Sequence, residues 1–254
     1  MGLHRTIRRY RELGLVATAD YVRRRLGNRV LGVINRIGPS LRHCPCCGWS
    51  GTRFLDFAGH GYGLGEVVCP GCGSHPRHRG LTLILRPEIK RLRARERVLH
   101  LAPERAITSM LVSRGDLIYV SADLAMPSAA IRADANWMPF QADVFGMLVC
   151  SHMLEHLADD AGVLGEITRV LCKGASAFLM VPMLIKWESL PTEEFPGPNP
   201  LIDMHYRAYG ADLKDRIEHA GMQCGLLKFS DVIGAADREL SGIGDDVVFI
   251  GRKP

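Results

Sequence analysis

Apolar positions along this chain follow two different periods. Over residues 1–37, Val22, Leu26, Val30, Leu31 and Ile34 recur at helical spacing, with Arg23, Arg24, Arg25 and Arg29 between them. That pattern predicts an Arg-rich helix that lies on an anionic surface or packs on the body of the protein. Over 41–80 the periodicity stops. Gly, Cys, His and Pro dominate, Gly59, Gly61, Gly63 and Gly65 make a loop-like middle, and few residues are available for a core. Such a segment needs a staple to fold. From residue 81 the pattern alternates. It predicts helix over 81–95, strand over 98–101, helix over 104–114 and strand over 117–122. Strand follows over 145–150, helix over 159–171, strand over 175–181 and helix over 208–220, with Gly221 as its C-cap. The last two strands, 223–229 and 246–250, show no helical pattern between them and are expected as an antiparallel edge pair. Strands alternating with helices predict an α/β, doubly wound, mostly parallel sheet covered on both faces. The Pro-rich stretch 191–200 reads either as a lid or as a rigid surface loop. The expected organisation is a basic helical segment (1–40), a cysteine-rich module (41–80) and an α/β domain (81–254).

Composition narrows the class. The 254 residues are 47% hydrophobic and 23% charged, which excludes a disordered chain, a collagen and a coiled-coil rod. The most apolar stretch, 175–185, has 11 residues, against about 20 for a membrane span. Neither a transmembrane segment nor a secretory signal is expected, and the expected location is cytoplasmic; the N-terminal composition also suits an organelle presequence. Charge is unevenly spread. Residues 1–97 hold 19 Lys/Arg and 6 Asp/Glu, whereas the rest is net acidic within a total of +5. The basic front suits an anionic partner such as nucleic acid, a membrane surface or a glycan; the plainer reading is a solvated cationic face.

Four of the eight cysteines form two matched knuckles, Cys44-Pro45-Cys46-Cys47-Gly48 and Cys69-Pro70-Gly71-Cys72-Gly73. In each, one turn presents two thiolates to one ion, and the glycine lets the backbone curl back. Cys44, Cys47, Cys69 and Cys72 therefore predict a closed, structural zinc site in the manner of a zinc ribbon. Iron suits the same ligands, and Cys46 is an alternative member of the first pair.

A doubly wound sheet binds ligands beyond the C-terminal ends of its strands. Asp123 ends the second strand, 22 residues after Leu101, where an acid takes ribose hydroxyls in nucleoside sites. Asp134-Ala135 follows the third segment, where a carboxylate accepts from an adenine amino group. Each Asp also reads as a simple turn cap.

Here the text becomes familiar. The run from Asp134 to Pro182, with Pro139-Phe140, Leu154-Glu155-His156, Arg169-Val170-Leu171 and Lys173-Gly174, resembles class I S-adenosylmethionine-dependent methyltransferases. The stretch 205–222 resembles the family's helix before its sixth strand. The likeness implies a Rossmann-like seven-stranded sheet and S-adenosylmethionine as methyl donor. It places Leu101, Ala102, Pro103 and Glu104 in the donor loop, Asp123 and Leu124 at the ribose, Asp134 and Ala135 at the adenine, and Cys150 and Ser151 at the methionine part. The chain departs from the family in that loop. His100 stands where an acid is usual, Ala102 and Glu104 replace glycines, and Gly146 replaces an acid.

Methyl transfer needs alignment and, for an oxygen or nitrogen acceptor, a general base. His156 is the first candidate and His152 the second, with Glu155 between them; the bland reading of His156 is a helix-start residue. His205, Tyr206, Arg207 and Tyr209 are expected at the acceptor, with Arg207 clamping an anionic group. The acceptor itself, whether small molecule, glycan or RNA, is not written in these motifs. The competing reading is a methyltransferase-like fold that has lost donor binding and contacts nucleic acid or another anionic partner.

Overall fold

The computed structural model describes residues 2–58, 63–183 and 186–254, with backbone only for 2–15. Gly59 and Gly61, singled out above, lie outside the described residues. The chain forms two compact units, one of residues 1–84 with 233–244 and one of 85–232 with 245–254.

In the first unit, α1 (Gly2–Ile37) is one long helix. Four short strands follow: β1 (Arg42–His43), β2 (Ser50–Gly51), β3 (Leu55–Ala58) and β4 (Gly63–Val68). They pair as two antiparallel hairpins, β1 with β2 and β3 with β4. Helix α1 packs on β3 and the chain just before it through two asparagines placed two turns apart. Asn28 accepts from the Asp56 amide (2.8 Å) and donates to the Asp56 carbonyl (2.8 Å). Asn35 does the same with Arg53, at 2.9 Å in both directions. Each pair satisfies both groups of one residue of backbone, the accounting a short hairpin cannot complete alone. The basic helix is thus packed on the hairpin along one side.

Helix α2 runs from Pro76 to Arg91, earlier than the 81–95 expected. Proline opens it without loss, because the first helical position has no intrahelical N–H bond to lose. Then come β5 (Arg97–Leu101), α3 (Arg105–Ser113), β6 (Ile118–Asp123), β7 (Ile131–Arg132) and β8 (Phe145–Ser151). A 3-10 turn (Leu154–His156) leads to α4 (Asp160–Val170) and β9 (Leu171–Met180). The remainder is β10 (Glu193–Asn199), β11 (His205–Ala208), α5 (Leu213–His219), β12 (Gln223–Lys228), α6 (Phe229–Val232), α7 (Ala235–Ser241) and β13 (Val247–Arg252).

The sheet of the second unit has seven strands in the order β12-β13-β9-β8-β5-β6-β7. Strands β7, β6, β5, β8 and β9 are parallel, and β13 enters antiparallel between β9 and β12. This is the Rossmann-like methyltransferase-type sheet that the alternating pattern and the resemblance implied. The chain reverses direction of winding between β5, which leads to β6 on one side, and β8 on the other. Ligand crevices form at that switch. Leu99, Leu148, Val149, Ala177, Leu179 and Phe249 are fully buried, as expected for strands covered on both faces.

Three expectations are corrected. The stretch 191–200 is not an irregular loop, because most of it is β10, paired antiparallel with β11. The predicted helix over 208–220 begins only at Leu213. Its apolar first residues, including the buried Tyr209, read as helix by spacing but pack as extended chain. The edge strands β12 and β13 do pair, but two short helices lie between them, too short for periodicity to register.

The second of these, α7, belongs to the first unit. Arg79 of α2 is fully buried. Its guanidinium donates to the carbonyls of Ser241 (2.6 Å), Gly242 (2.9 Å), Ser74 (2.7 Å) and Val67 (3.0 Å). It also stacks 4.0 Å from the Phe54 ring centre. One cation therefore fastens 233–244 to the cysteine knuckles. Replacing it would leave four buried carbonyls without donors. The variant Arg79→Leu is expected to release this segment. Amide hydrogen exchange across 235–243 should rise at least tenfold while protection in β5 and β8 stays unchanged.

Candidate functional site

The two knuckles fold alike. The Cys44 amide donates to the Trp49 carbonyl (2.7 Å) and the Gly48 amide to the Cys44 carbonyl (2.8 Å). In the second, the Cys69 amide donates to Ser74 (2.9 Å) and the Gly73 amide to Cys69 (2.9 Å). Gly48 and Gly73 sit at φ of +75° and +74°, a left-handed turn that a side chain would strain. The sulfurs of Cys44, Cys47, Cys69 and Cys72 lie within 4.8 Å of one another. Cys44 and Cys72 are 3.7 Å apart, as are Cys47 and Cys69. A tetrahedron with Zn–S of about 2.3 Å has edges of about 3.8 Å, so the donor set fits zinc. The Ser74 hydroxyl is 3.2 Å from the sulfurs of both Cys44 and Cys72, and the Gly71 amide donates to the Cys69 sulfur at 3.4 Å. The Arg79 guanidinium lies within electrostatic reach of Cys44, Cys69 and Cys72, a counter-charge for a doubly anionic four-thiolate centre. Cys46 turns to the Thr82 hydroxyl (3.2 Å) and the His78 carbonyl (3.6 Å). Its place in the knuckle made it an alternative ligand; the geometry gives it a different partner. His75 and His78 hydrogen-bond each other, the His75 amide to His78 Nδ1 at 3.0 Å.

In the second unit a cavity of about 270 Å³ opens at the C-terminal ends of the parallel strands. It is lined by Leu101 and Ala102 at the end of β5, Asp123 and Leu124 at the end of β6, Asp134 and Ala135 after β7, and His152 and His156 after β8. Sequence reasoning chose these positions one by one, and topology brings them to one hollow. It missed Met138, Met153 and Leu157, which also line it and carry no polar signal in the sequence. Of the other positions named for the donor, Pro103, Glu104, Cys150 and Ser151 are not among the lining residues. Glu104 instead stands at the start of α3, in extended backbone and with no side-chain capping bond. Cys150 is 1% exposed. Burial pushes its thiol well above the ordinary range, and the carboxylates of Glu155 and Glu104 add to the shift, so it stays protonated and is no nucleophile.

The atypical first loop keeps the conformation that glycine usually supplies. Ala102 has φ of +47°, and its amide donates to the Ala122 carbonyl at 3.1 Å. A methyl group at that position is a small cost, about 1 kcal/mol for a left-handed non-glycine residue. His100, where an acid is usual, is fully buried and bonds Tyr119 (3.1 Å), which in turn bonds Thr108 (3.0 Å). It serves the packing of α3 on the sheet. Asp123 and Asp134 do cap turns: Asp123 Oδ1 accepts from the Ala125 and Met126 amides at 2.7 Å, and Asp134 Oδ1 from Asn136 at 2.9 Å. Both readings of each residue hold together, since one carboxylate oxygen fixes the loop while the residue lines the cavity.

After β8 the backbone turns sharply. His152 has φ of +52°, and its amide donates to the Met180 carbonyl at 2.7 Å. Its Nδ1 lies 3.4 Å from Glu155 Oε1. His156 meets His205 edge to face, ring centres 4.7 Å apart. Arg207 is not the expected clamp on an anionic acceptor. It is 4% exposed and donates to the carbonyls of Leu154 (3.3 Å), Leu157 (2.7 Å) and Ala158 (2.8 Å) and to Glu194 (3.0 Å). Tyr209 is likewise buried, its hydroxyl donating to Asp160 at 2.9 Å. Those acceptors take four of the guanidinium's five donors, and with 4% exposure it fastens β11 to the turn that carries Glu155 and His156.

Residues 97–179 match the family described as methyltransferase domain. No curated protein matches the chain by sequence. Among solved structures, a Burkholderia thailandensis 1,6-didemethyltoxoflavin-N1-methyltransferase with bound S-adenosylhomocysteine superposes at TM-score 0.51 and 16% identity, covering 69% of this chain and 77% of that one. The [4+2]-cyclase SpnF superposes at TM-score 0.51 and 14% identity, covering 69% and 83%. These likenesses show the fold. Among the described residues no helix is long and apolar enough to cross a membrane.

Removing one thiolate from a closed site leaves three ligands and removes most of the metal's folding energy. The variant Cys69→Ala is expected to lose its zinc and unfold the first unit, whereas Cys46→Ala should keep zinc at the parent level; metal analysis of the two purified variants checks this.

Proposed function

We propose that this chain, whose residues 97–179 match the methyltransferase-domain family, transfers a methyl group from S-adenosylmethionine to an oxygen or nitrogen acceptor. The observation that carries the reading is the convergence of Asp123, Asp134 and the Ala102 backbone on one cavity at the sheet's switch point. The residues present fit the donor. Asp123 suits ribose hydroxyls, Asp134 and Ala135 suit an adenine edge, and the left-handed Ala102 brings backbone close, as the donor's carboxylate and amino end require. When bound, S-adenosylmethionine supplies a methyl group already activated by a sulfonium.

The protein's own contribution is then alignment, exclusion of water and proton handling. Met138, Met153 and Leu157 line the cavity with apolar surface. His152 is the better general base by geometry. Its Nδ1 lies 3.4 Å from the buried Glu155 carboxylate, which leaves Nε2 to take the proton. Zinc bound by the four cysteines would brace the first unit and take no part in the chemistry. The reading as a silent binding protein makes the opposite forecast for the donor.

Calorimetric titration of the zinc-loaded protein with S-adenosylhomocysteine separates them. Saturable binding at micromolar strength is expected, and no binding at millimolar ligand to folded protein would overturn the donor reading. The variant Asp123→Asn keeps an acceptor for the Ala125 and Met126 amides but removes the charge. It should weaken binding at least tenfold, a charge-assisted bond being worth about 1.5–3 kcal/mol, with the melting temperature unchanged.

A further inference from the structure

The turn after β8 holds a carboxylate that donor binding does not use. Glu155 is 1% exposed, and neither of its oxygens has a hydrogen-bond partner among the described residues. A buried carboxylate without hydrogen-bond partners calls for a matching cation. Arg207, the guanidinium fastened to this turn, is occupied by three carbonyls and Glu194. His152 stands 3.4 Å from one carboxylate oxygen.

Two further imidazoles converge on the same point from different elements. His156 ends the 3-10 turn, and His205 begins β11. One ligand atom from each of Glu155, His156 and His205 lies within 4.8 Å of the others. Metal ligands at about 2.1 Å from one ion stand about 3–3.5 Å apart, so small side-chain rotations close the set.

We propose that Glu155, His156 and His205 form a second metal site, for a divalent first-row transition ion. Two imidazoles and one carboxylate are a ligand set for zinc, manganese or ferrous iron that leaves coordination positions open. The ion answers the charge of Glu155, and His152 becomes the outer partner that orients the ligating carboxylate. His156 also lines the donor cavity, so the open positions border it. An oxygen donor on the acceptor, above all a hydroxyl, would fill one of them. The ion would lower that hydroxyl's pKa. In the transfer, the hydroxyl proton passes to His152, the oxygen–methyl bond forms as the sulfur–methyl bond breaks, and the sulfonium leaves as a neutral thioether. This use rests on the methyltransferase reading; the ion site does not.

The test is a titration with Mn²⁺ of full-length protein treated with a weak chelator that leaves the four-cysteine zinc in place. Manganese competes poorly for thiolates, so it reports the second site alone. One Mn²⁺ per chain at micromolar strength is expected, together with a rise in melting temperature. Glu155→Gln and His205→Ala should each weaken Mn²⁺ binding at least tenfold and abolish that rise, with zinc content unchanged. Without added metal, Glu155→Gln should be at least as stable as the parent, because an unpaired charge has gone. Mn²⁺ affinity equal in parent and variants, or no saturable binding, would overturn the site. So would a marked loss of stability in Glu155→Gln without metal, which would mean that Glu155 serves only to pair with His152. Titrating the same samples with S-adenosylhomocysteine keeps the two readings apart. Donor binding without Mn²⁺ binding overturns the metal site alone, and Mn²⁺ binding without donor binding supports the site while removing the methyltransferase reading.

Discussion

The second unit depends on one strand. β8 lies between β5 and β9 in a parallel sheet, and six of its seven residues are buried. A parallel strand so placed can end only by leaving the sheet at its C-terminal edge. There the backbone must turn within a residue or two, because α4 returns across the face. His152 accepts the left-handed conformation at that bend. The cost of such a residue is about 1 kcal/mol or more, offset by the ladder behind it and by the carbonyl bonds that Arg207 makes to 154–158. The turn is therefore rigid, and the groups it carries are positioned rather than free to relax toward solvent.

Arginine does the same kind of work twice. Arg79 in the first unit and Arg207 in the second are both buried and both spend their donors on backbone carbonyls of segments distant in sequence. A buried guanidinium is tolerated only where its planar fork is nearly filled. Filling it mainly with carbonyls, all four of those bonding Arg79 and three of the four acceptors of Arg207, fixes backbone that has no ladder of its own. In each case the fixed backbone carries chemistry, cysteine knuckles in one and the Glu155 turn in the other.

Much of the candidate site was legible residue by residue. The four cysteine ligands were readable because a metal knuckle is a local object, its two thiolates three residues apart with a glycine behind them. Asp123 and Asp134 were readable because strand ends in a doubly wound pattern locate the ligand edge. Arg207 was misread. As an arginine in a polar loop before a helix it looked like an anion clamp, and nothing local shows that β10 covers it. The site of Glu155, His156 and His205 was half visible: Glu155 and His156 are adjacent, but His205 lies 49 residues on and reaches them only through the β10–β11 hairpin.

The sequence by itself determined the α/β class, six of the sheet's seven strands, the metal knuckles and the strand-end acids, because periodicity and short motifs are set by neighbours within a few residues; the two-residue β7 is too short for either. Tertiary structure alone decided which polar residues are buried. Arg79, Arg207, Glu155 and His100 are charged or polar in a text that gives no sign of their burial, and each is under 5% exposed. Tertiary structure also took 233–244 out of the α/β unit and placed it with the knuckles. The physical reason is the same throughout. Burial of a polar group is stable only when partners from remote segments are present, and those partners are chosen by the fold rather than by the residues beside it.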